Sequence, residues 1–133
     1  MNKKNSYEGL QKQIRALKTP KIDVWKNQYA DRDYTVDLSF PELTCICPKT
    51  GLPDFASVRI TYGPDQTCLE LKSLKMYFIF YRGVGIFHEH LVNKILEDIV
   101  RACRPRWAKV DVVMNPRGGI HTNVSAEYNR KSG

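Results

Sequence analysis

The most constraining feature of the sequence is a long amphipathic repeat in its second half. Between positions 87 and 103, apolar residues recur three and four positions apart, and the repeat ends before Pro105. Such spacing is typical of one face of an α-helix, and a face this wide must be buried against another layer. The apolar stripe consists of Phe87, Leu91, Val92, Ile95, Leu96, Ile99, Val100 and Cys103, whereas His90, Asn93, Lys94, Glu97 and Arg101 fall on the polar side.

A period of two residues precedes this helix. Apolar and polar residues alternate over positions 36–47 and again over 56–62, and a turn rich in Pro and Gly separates the two stretches. Alternation indicates strands with one buried face, and the turn joins them. Pro41 interrupts the first stretch. Before Pro41, one face is predicted to consist of Val36, Leu38 and Phe40. After Pro41 it is predicted to consist of Leu43, Cys45 and Cys47, and beyond the turn of Ala56, Val58, Ile60 and Tyr62.

The remaining patterns complete an α+β arrangement. Helical spacing over positions 74–81 predicts a first helix, with Ser73 as its N-cap. Alternation over 108–114, followed by the turn at 116–119, predicts two more strands after the long helix. The predicted order is therefore β-β-α-α-β-β, an antiparallel sheet with two antiparallel helices on one face.

The chain is predicted to have an arm and one domain. Residues 1–32 are interpreted as a basic arm with a short helix around Leu10, and residues 33–133 as the domain. Lys and Arg number 21 against 14 Asp and Glu, a net charge of +7, which suits an anionic partner such as nucleic acid or a phosphate-bearing cofactor. No apolar run approaches the length of a membrane span, and the first ten residues do not resemble a signal peptide. We therefore expect a soluble, cytoplasmic protein.

Cys47 is the residue that most suggests chemistry. It opens the Pro- and Gly-rich turn, with Lys49 beside it and Asp54 seven positions on. A thiol in a rigid loop near cationic groups is partly ionised at neutral pH, and a carboxyl group returned by the turn could move a proton. The alternative is a small apolar residue at a strand end. Cys45, Cys68 and Cys103 lie in apolar patterns and are assigned to the core, with no disulfide framework expected.

The His88-Glu89-His90 triplet could suggest a metal site. Helix geometry argues against it, because side chains two positions apart point some 200° from one another, whereas ligands on one helix face lie three or four apart. His88 and Glu89 lie on or beside the buried stripe at the start of the helix. Either Glu89 complements the helix dipole and His88 is a core histidine, or Glu89 binds the two adjacent N–H donors of a guanine-like ring.

A strand-to-helix junction follows Cys68. The segment Glu70–Lys75 combines a carboxylate, a hydroxyl and two lysines, Lys72 and Lys75. Helix N-termini and lysines both attract phosphate, although a solvated surface explains the lysines equally well. Because no GxGxxG or Walker sequence occurs, a nucleotide would have to bind by another architecture.

Four motifs in order resemble the QueF family of NADPH-dependent 7-cyano-7-deazaguanine reductases, over about residues 33–128. They are CPKTGLPDFA from Cys47, ELKSLKMY from Glu70, FHE from Phe87 and PRGG from Pro116. The match is to the short, single-repeat form of the family, and Met76 departs from it by standing where Leu or Tyr is more usual. The resemblance implies the tunnelling fold, which has the element order predicted above.

The same resemblance implies that the protein reduces the nitrile of 7-cyano-7-deazaguanine to 7-aminomethyl-7-deazaguanine in queuosine biosynthesis. It implies NADPH as the cofactor and no metal. The resemblance implies homo-oligomeric rings with active sites between subunits, and no stable nucleic-acid complex or membrane contact. It implies that Cys47 is the nucleophile that forms a thioimide and that Asp54 is the proton donor. The implied substrate-binding residues are Leu69, Glu70, Leu71, His88 and Glu89, and the implied NADPH-binding residues are Lys72, Lys75 and Arg117.

Three other functions are each compatible with part of the sequence. A QueF-like amidinotransferase acting on tRNA also forms a thioimide but needs no NADPH, and the intact Glu70 to Tyr77 motif argues against it. A zinc enzyme resembling GTP cyclohydrolase shares the general fold. The spacing of His88 and His90 argues against this function, because histidines two positions apart on a helix do not face one metal ion. A non-catalytic basic RNA-binding module would leave the Cys47 to Asp54 loop unexplained.

Overall fold

The structure, a computed structural model, describes residues 14–130. In chain order the elements are β1 (Val24–Lys26), β2 (Val36–Ile46), β3 (Pro53–Gly63), β4 (Thr67–Leu69), α1 (Leu71–Phe80), a 3₁₀ turn (Tyr81–Gly83), α2 (His88–Cys103), β5 (Trp107–Arg117) and β6 (Ile120–Asn129). The predicted helix around Leu10 lies outside the described residues except at its end, where Ile14 and Leu17 pack against the core. No helix within residues 14–130 is long and apolar enough to cross a membrane.

The main sheet has four antiparallel strands in the order β2-β3-β5-β6. Helix α1 packs against β2, and α2 packs against β5 and β6. The long strands and the two helices therefore follow the predicted β-β-α-α-β-β order and form the predicted α+β layers. The apolar stripe of α2 is buried as expected, and its fully buried members are Leu91, Val92, Ile95, Ile99 and Cys103.

A β-bulge in β2 decides which of its residues are buried. Phe40 pairs with Val58 and Leu43 pairs with Ala56, so β2 contains one residue more than β3 over this stretch. The extra residue lies between Phe40 and Leu43, a stretch that includes Pro41, which has no N–H to donate to a strand ladder. Because side chains alternate along a strand, the bulge turns the odd-numbered residues inward, and Leu43 and Cys45 are each only 1% exposed. This confirms the face predicted for Leu43 and Cys45.

The short strand β1 was not predicted from the sequence, whereas β4 corresponds to the strand expected before the strand-to-helix junction. Strands β1 and β4 pair antiparallel in a separate two-stranded sheet. Ile22, two residues before the start of β1, belongs to the hydrophobic core. Part of the segment interpreted as an arm therefore packs on the domain, while the division of the chain at residues 32 and 33 stays a prediction.

The N-cap of α1 is Glu70, so the prediction of Ser73 was wrong. The Glu70 carboxylate accepts hydrogen bonds from the N–H of Lys72 at 2.9 Å and of Ser73 at 2.8 Å. These two bonds hold the pKa of Glu70 below its usual value. The sequence favoured Ser73 because serine is a common N-cap, but the helix begins at Leu71, so the first amides that need a partner are those that Glu70 accepts from.

Lys94 is buried, although helical spacing had placed it on the polar side of α2. Its ammonium donates to Asp98 Oδ1 at 3.1 Å, and Asp98 also accepts from the Tyr77 hydroxyl at 2.6 Å and from Arg101 at 2.9 Å. Lys94 and Asp98 are only 4% and 5% exposed. A buried ion pair is tolerated when its remaining hydrogen-bonding capacity is satisfied, and Tyr77 of α1 supplies that partner.

Candidate active site

The loop after β2 is held by its own backbone. The N–H of Cys47 donates to Leu52 O, and the N–H of Gly51 donates to Cys47 O, each at 2.8 Å. Gly51 has φ of 73°, a conformation that glycine adopts without steric cost. The Thr50 hydroxyl accepts from the N–H of Leu52 at 3.1 Å. Cys47 is therefore half-buried in a fixed turn, as the spacing of Pro and Gly predicted.

Donors in this loop lower the pKa of the Cys47 thiol. The largest cause is a hydrogen bond from the Thr50 side chain, followed by one from the Thr50 backbone N–H, while burial and the charge of Asp54 act in the opposite direction. Among the contributions to this pKa, Lys49 acts through its backbone N–H and not through its ammonium, which differs from the expectation of a nearby cation. Burial raises the pKa of Cys45, two residues away, to about 12. Of these two thiols, that of Cys47 is therefore the more readily ionised.

We expect Thr50→Val to make Cys47 less reactive. Without the hydroxyl donor, the pKa of Cys47 rises, so a smaller fraction of the thiol is ionised at pH 7. The rate of alkylation by iodoacetamide, measured against pH, should show its inflection at higher pH than in the wild type. Thr50→Ser keeps the hydroxyl and serves as the matched control. An unchanged alkylation profile in Thr50→Val would contradict this role.

Asp54 and His88 meet beside this loop. Asp54 is the second residue of β3, and the alternation that buries Ala56 also buries Asp54, which is 4% exposed. His88 Nε2 lies 3.1 Å from Asp54 Oδ2, within hydrogen-bond distance. Among residues 14–130, no three His, Cys, Asp or Glu side chains are grouped to hold a metal ion.

The start of α2 is positioned by the end of β2. The N–H of Ile46 donates to Val84 O at 2.9 Å, and the N–H of Ile86 donates to Ile46 O at 3.0 Å. These bonds place the chain that leads into α2 alongside the residue before Cys47. Two sequence-distant motifs thus form one cysteine cluster, which consists of Cys47, Asp54 and His88.

Glu89 is exposed, which corrects the expectation that it lies on or beside the buried stripe. It belongs to the first turn of α2, before the fully buried part of the stripe begins at Leu91. An acidic residue there interacts favourably with the helix dipole. Within residues 14–130 its carboxylate makes no hydrogen bond or ion pair, so it is available to a ligand.

The remaining predicted site residues lie at the junction between β4 and α1, defined here as residues 69–75. Leu69 is buried, whereas Leu71, Lys72 and Lys75 are exposed. A cavity of about 150 Å³ lies beside Leu71 and Lys75 and extends to β2. Arg117 is the last residue of β5 and precedes the tight turn to β6.

Thr50 is the functional candidate that sequence reasoning missed. It lies within the CPKTGLPDFA motif, but the sequence alone assigned it no catalytic or binding role. A Thr three residues after a reactive Cys in a tight turn indicates a hydrogen-bond donor to the thiol, because its hydroxyl and N–H both point back toward the start of the turn.

The chain is similar in sequence and in structure to known proteins. The family model described as "QueF-like protein" matches residues 53–133. A NADPH-dependent 7-cyano-7-deazaguanine reductase of Chlorobaculum tepidum is 50% identical over 109 residues, covering 82% of this chain and 93% of the relative. A protein of the same name from Elusimicrobium minutum is 52% identical, covering 86% of both chains. The crystal structure of the archaeosine synthase QueF-Like in the apo form superposes with a TM-score of 0.66 at 30% identity, covering 70% of this chain and 91% of that one.

Proposed function

The chain belongs to the QueF family, and we infer that it is an NADPH-dependent 7-cyano-7-deazaguanine reductase of queuosine biosynthesis. The observation that carries this inference is identity of about half over most of the chain with proteins of that name. The α+β architecture is that of the tunnelling fold, in agreement with the similar solved structure. The reaction converts the nitrile of 7-cyano-7-deazaguanine to the primary amine of 7-aminomethyl-7-deazaguanine.

In our proposal Cys47 is the nucleophile. Its ionised Sγ adds to the nitrile carbon, so an S–C bond forms and one π pair of the C≡N bond moves to nitrogen. Asp54 supplies the proton that nitrogen then needs, and the product is a thioimide on Cys47. The lowered pKa of Cys47 supports the first step, and the buried position of Asp54 in the same cluster supports the second.

His88 and Glu89 are proposed to bind the deazapurine. His88 contacts Asp54, so it holds that carboxyl group in position as well as lining the site. The carboxylate of Glu89 can accept two parallel hydrogen bonds from the adjacent N–H groups of a guanine-like ring. Leu69, Glu70 and Leu71 complete the proposed pocket, with Glu70 already using its carboxylate to cap α1.

The residues at the junction fit a phosphate-bearing cofactor. Lys72 and Lys75 are both exposed and lie three residues apart on α1, so their ammonium groups can approach one anion from the same side. The amides at the start of α1 are taken by Glu70, so phosphate binding rests on the lysines, with Arg117 as a third proposed cation. NADPH supplies hydride when bound.

We also propose that the active site is shared between copies of the chain. The cysteine cluster and the junction carry complementary parts of the proposed site, because the proposed nucleophile and proton donor lie in the first and the lysines proposed to bind NADPH lie in the second. A homo-oligomer in which the junction of one copy faces the cysteine cluster of the next would join them. A cytoplasmic location stays a prediction.

The test of the function is the stoichiometry of the reaction. Purified protein is mixed with 7-cyano-7-deazaguanine and NADPH, and the loss of NADPH absorbance is followed against the nitrile consumed. Reduction of a nitrile to an amine takes four electrons, so we expect about two NADPH per nitrile. A covalent adduct on Cys47 without NADPH oxidation would instead favour the amidinotransferase reaction. The absence of both would contradict enzyme activity of either kind on this nitrile.

A further inference from the structure

The segment around β1 holds the junction through its backbone. Strand β1 pairs with β4, with Val24 opposite Leu69. Immediately before β1, Asp23 O accepts a hydrogen bond from the N–H of Glu70 at 2.8 Å. The chain at residues 23–26 therefore runs alongside the last residues of β4 and the cap of α1, although the two segments are more than 40 positions apart in the sequence.

Ser73 extends this connection into the first turn of α1. Its hydroxyl accepts from the N–H of Asp23 at 2.8 Å and donates to Glu70 O at 2.9 Å. The hydroxyl thus links the β1 segment and the helix cap in a single chain of hydrogen bonds. Ser73 was predicted to be the N-cap, and the structure gives it this bridging position instead.

Trp25 contributes a side-chain contact at the same place. Its indole Nε1 donates to Leu69 O at 3.2 Å, and the residue remains 52% exposed. This hydrogen bond fixes the carbonyl group of the residue at which the proposed substrate-binding stretch begins.

We propose that Trp25 and Ser73 are positioning residues for the deazapurine site, because they hold Leu69, Glu70 and Leu71 in the geometry that binds the substrate. This inference rests on the proposed function, which places those three residues in the substrate pocket. A displacement of even an ångström in a binding segment weakens the interactions it makes. The side-chain hydrogen bonds of Trp25 and Ser73 go to Leu69, Asp23 and Glu70 and not to the cysteine cluster, so we expect the chemical step itself not to depend on them.

Trp25→Phe and Ser73→Ala test the proposal. The first variant keeps an aromatic ring and removes the N–H donor, and the second removes only the hydroxyl. We expect the KM for 7-cyano-7-deazaguanine to rise about fivefold to tenfold in each, with kcat within about twofold of wild type. The nitrile concentration that gives half-maximal adduct on Cys47 without NADPH, read by intact mass, should rise in parallel.

Thr67→Val is the matched control. Thr67 lies on the same strand β4 and donates one hydrogen bond, to Cys103 O at 3.1 Å, which leads away from the junction. We expect this variant to keep the wild-type KM and half-maximal adduct concentration. An equal rise in Thr67→Val, or an unchanged KM in both Trp25→Phe and Ser73→Ala, would overturn the positioning role.

The adduct measurement separates this inference from the function on which it rests. If the wild type forms the adduct but oxidises no NADPH, the reductase function fails, and the adduct concentrations still decide the role of Trp25 and Ser73. If the wild type reduces the nitrile normally and the two variants match it, only the positioning role fails. A fall in kcat with unchanged KM would likewise overturn the positioning role.

Discussion

Replacing Cys47 with alanine is expected to lower the rate of NADPH oxidation by at least about 10⁴-fold, the scale on which loss of a nucleophile acts in other enzymes. Without Sγ no thioimide can form, and a free nitrile is a poor hydride acceptor. The measurement is NADPH consumption with 7-cyano-7-deazaguanine, together with intact mass to detect the adduct. Both signals should disappear in Cys47→Ala.

Cys45→Ala is the matched control for this variant. Cys45 lies two residues away, but it is buried and its pKa is raised to about 12, so it remains protonated at neutral pH. We expect Cys45→Ala to retain the adduct and the turnover. If Cys47→Ala retained turnover, Cys47 would not be the nucleophile, and if Cys45→Ala alone abolished the adduct, the assignment would move to the buried thiol.

Asp54→Asn is expected to lower the rate of reduction by about 10²- to 10⁴-fold, the usual contribution of a positioned general acid. The amide has the size of the carboxyl group and can still form a hydrogen bond with His88 Nε2, so the shape of the cluster is preserved. What it lacks is an acidic proton for the nitrile nitrogen. Initial rates across neutral pH, with the adduct followed by mass, give the measurement.

Asp37→Asn controls for the loss of one carboxylate elsewhere. Asp37 lies on β2 and pairs with the exposed Arg59. We expect its activity to match that of the wild type. A wild-type rate for Asp54→Asn at every pH would show that another group protonates the nitrile. A slow variant that also unfolds at a much lower temperature would instead give Asp54 a structural role.

Much of the fold was predictable because it depends on local periodicity. The helical spacing in α2 and the alternation in β2 and β3 arise from one requirement, that each element buries one face, and the structure confirms both patterns. The strand β1 is only three residues long, so it carries no period that a sequence pattern could reveal. Its pairing with β4 is set by contacts between segments distant in the sequence.

The site divides in the same way. The turn from Cys47 to Asp54 is local, so its residues and spacing alone indicate a reactive thiol. The sequence did not show that Thr50, and not the ammonium of Lys49, lowers the pKa of that thiol, because the cause depends on which donors face Sγ. It also did not show that His88 reaches Asp54, since α2 and β3 meet only in the folded chain.

The sequence by itself determined the α+β architecture, the family and the candidate nucleophile, because these depend on periodicity and on residues close together in the chain. Only the tertiary structure decided that Glu70 caps α1, that Lys94 is buried and that Glu89 is exposed. Asp98, the partner of Lys94, accepts from Tyr77 of α1, and the N–H of Glu70 donates to Asp23 O before β1, so these positions depend on distant parts of the chain. Helical spacing gives the direction of a side chain around its own helix, but burial and partners are set by the element that packs against it.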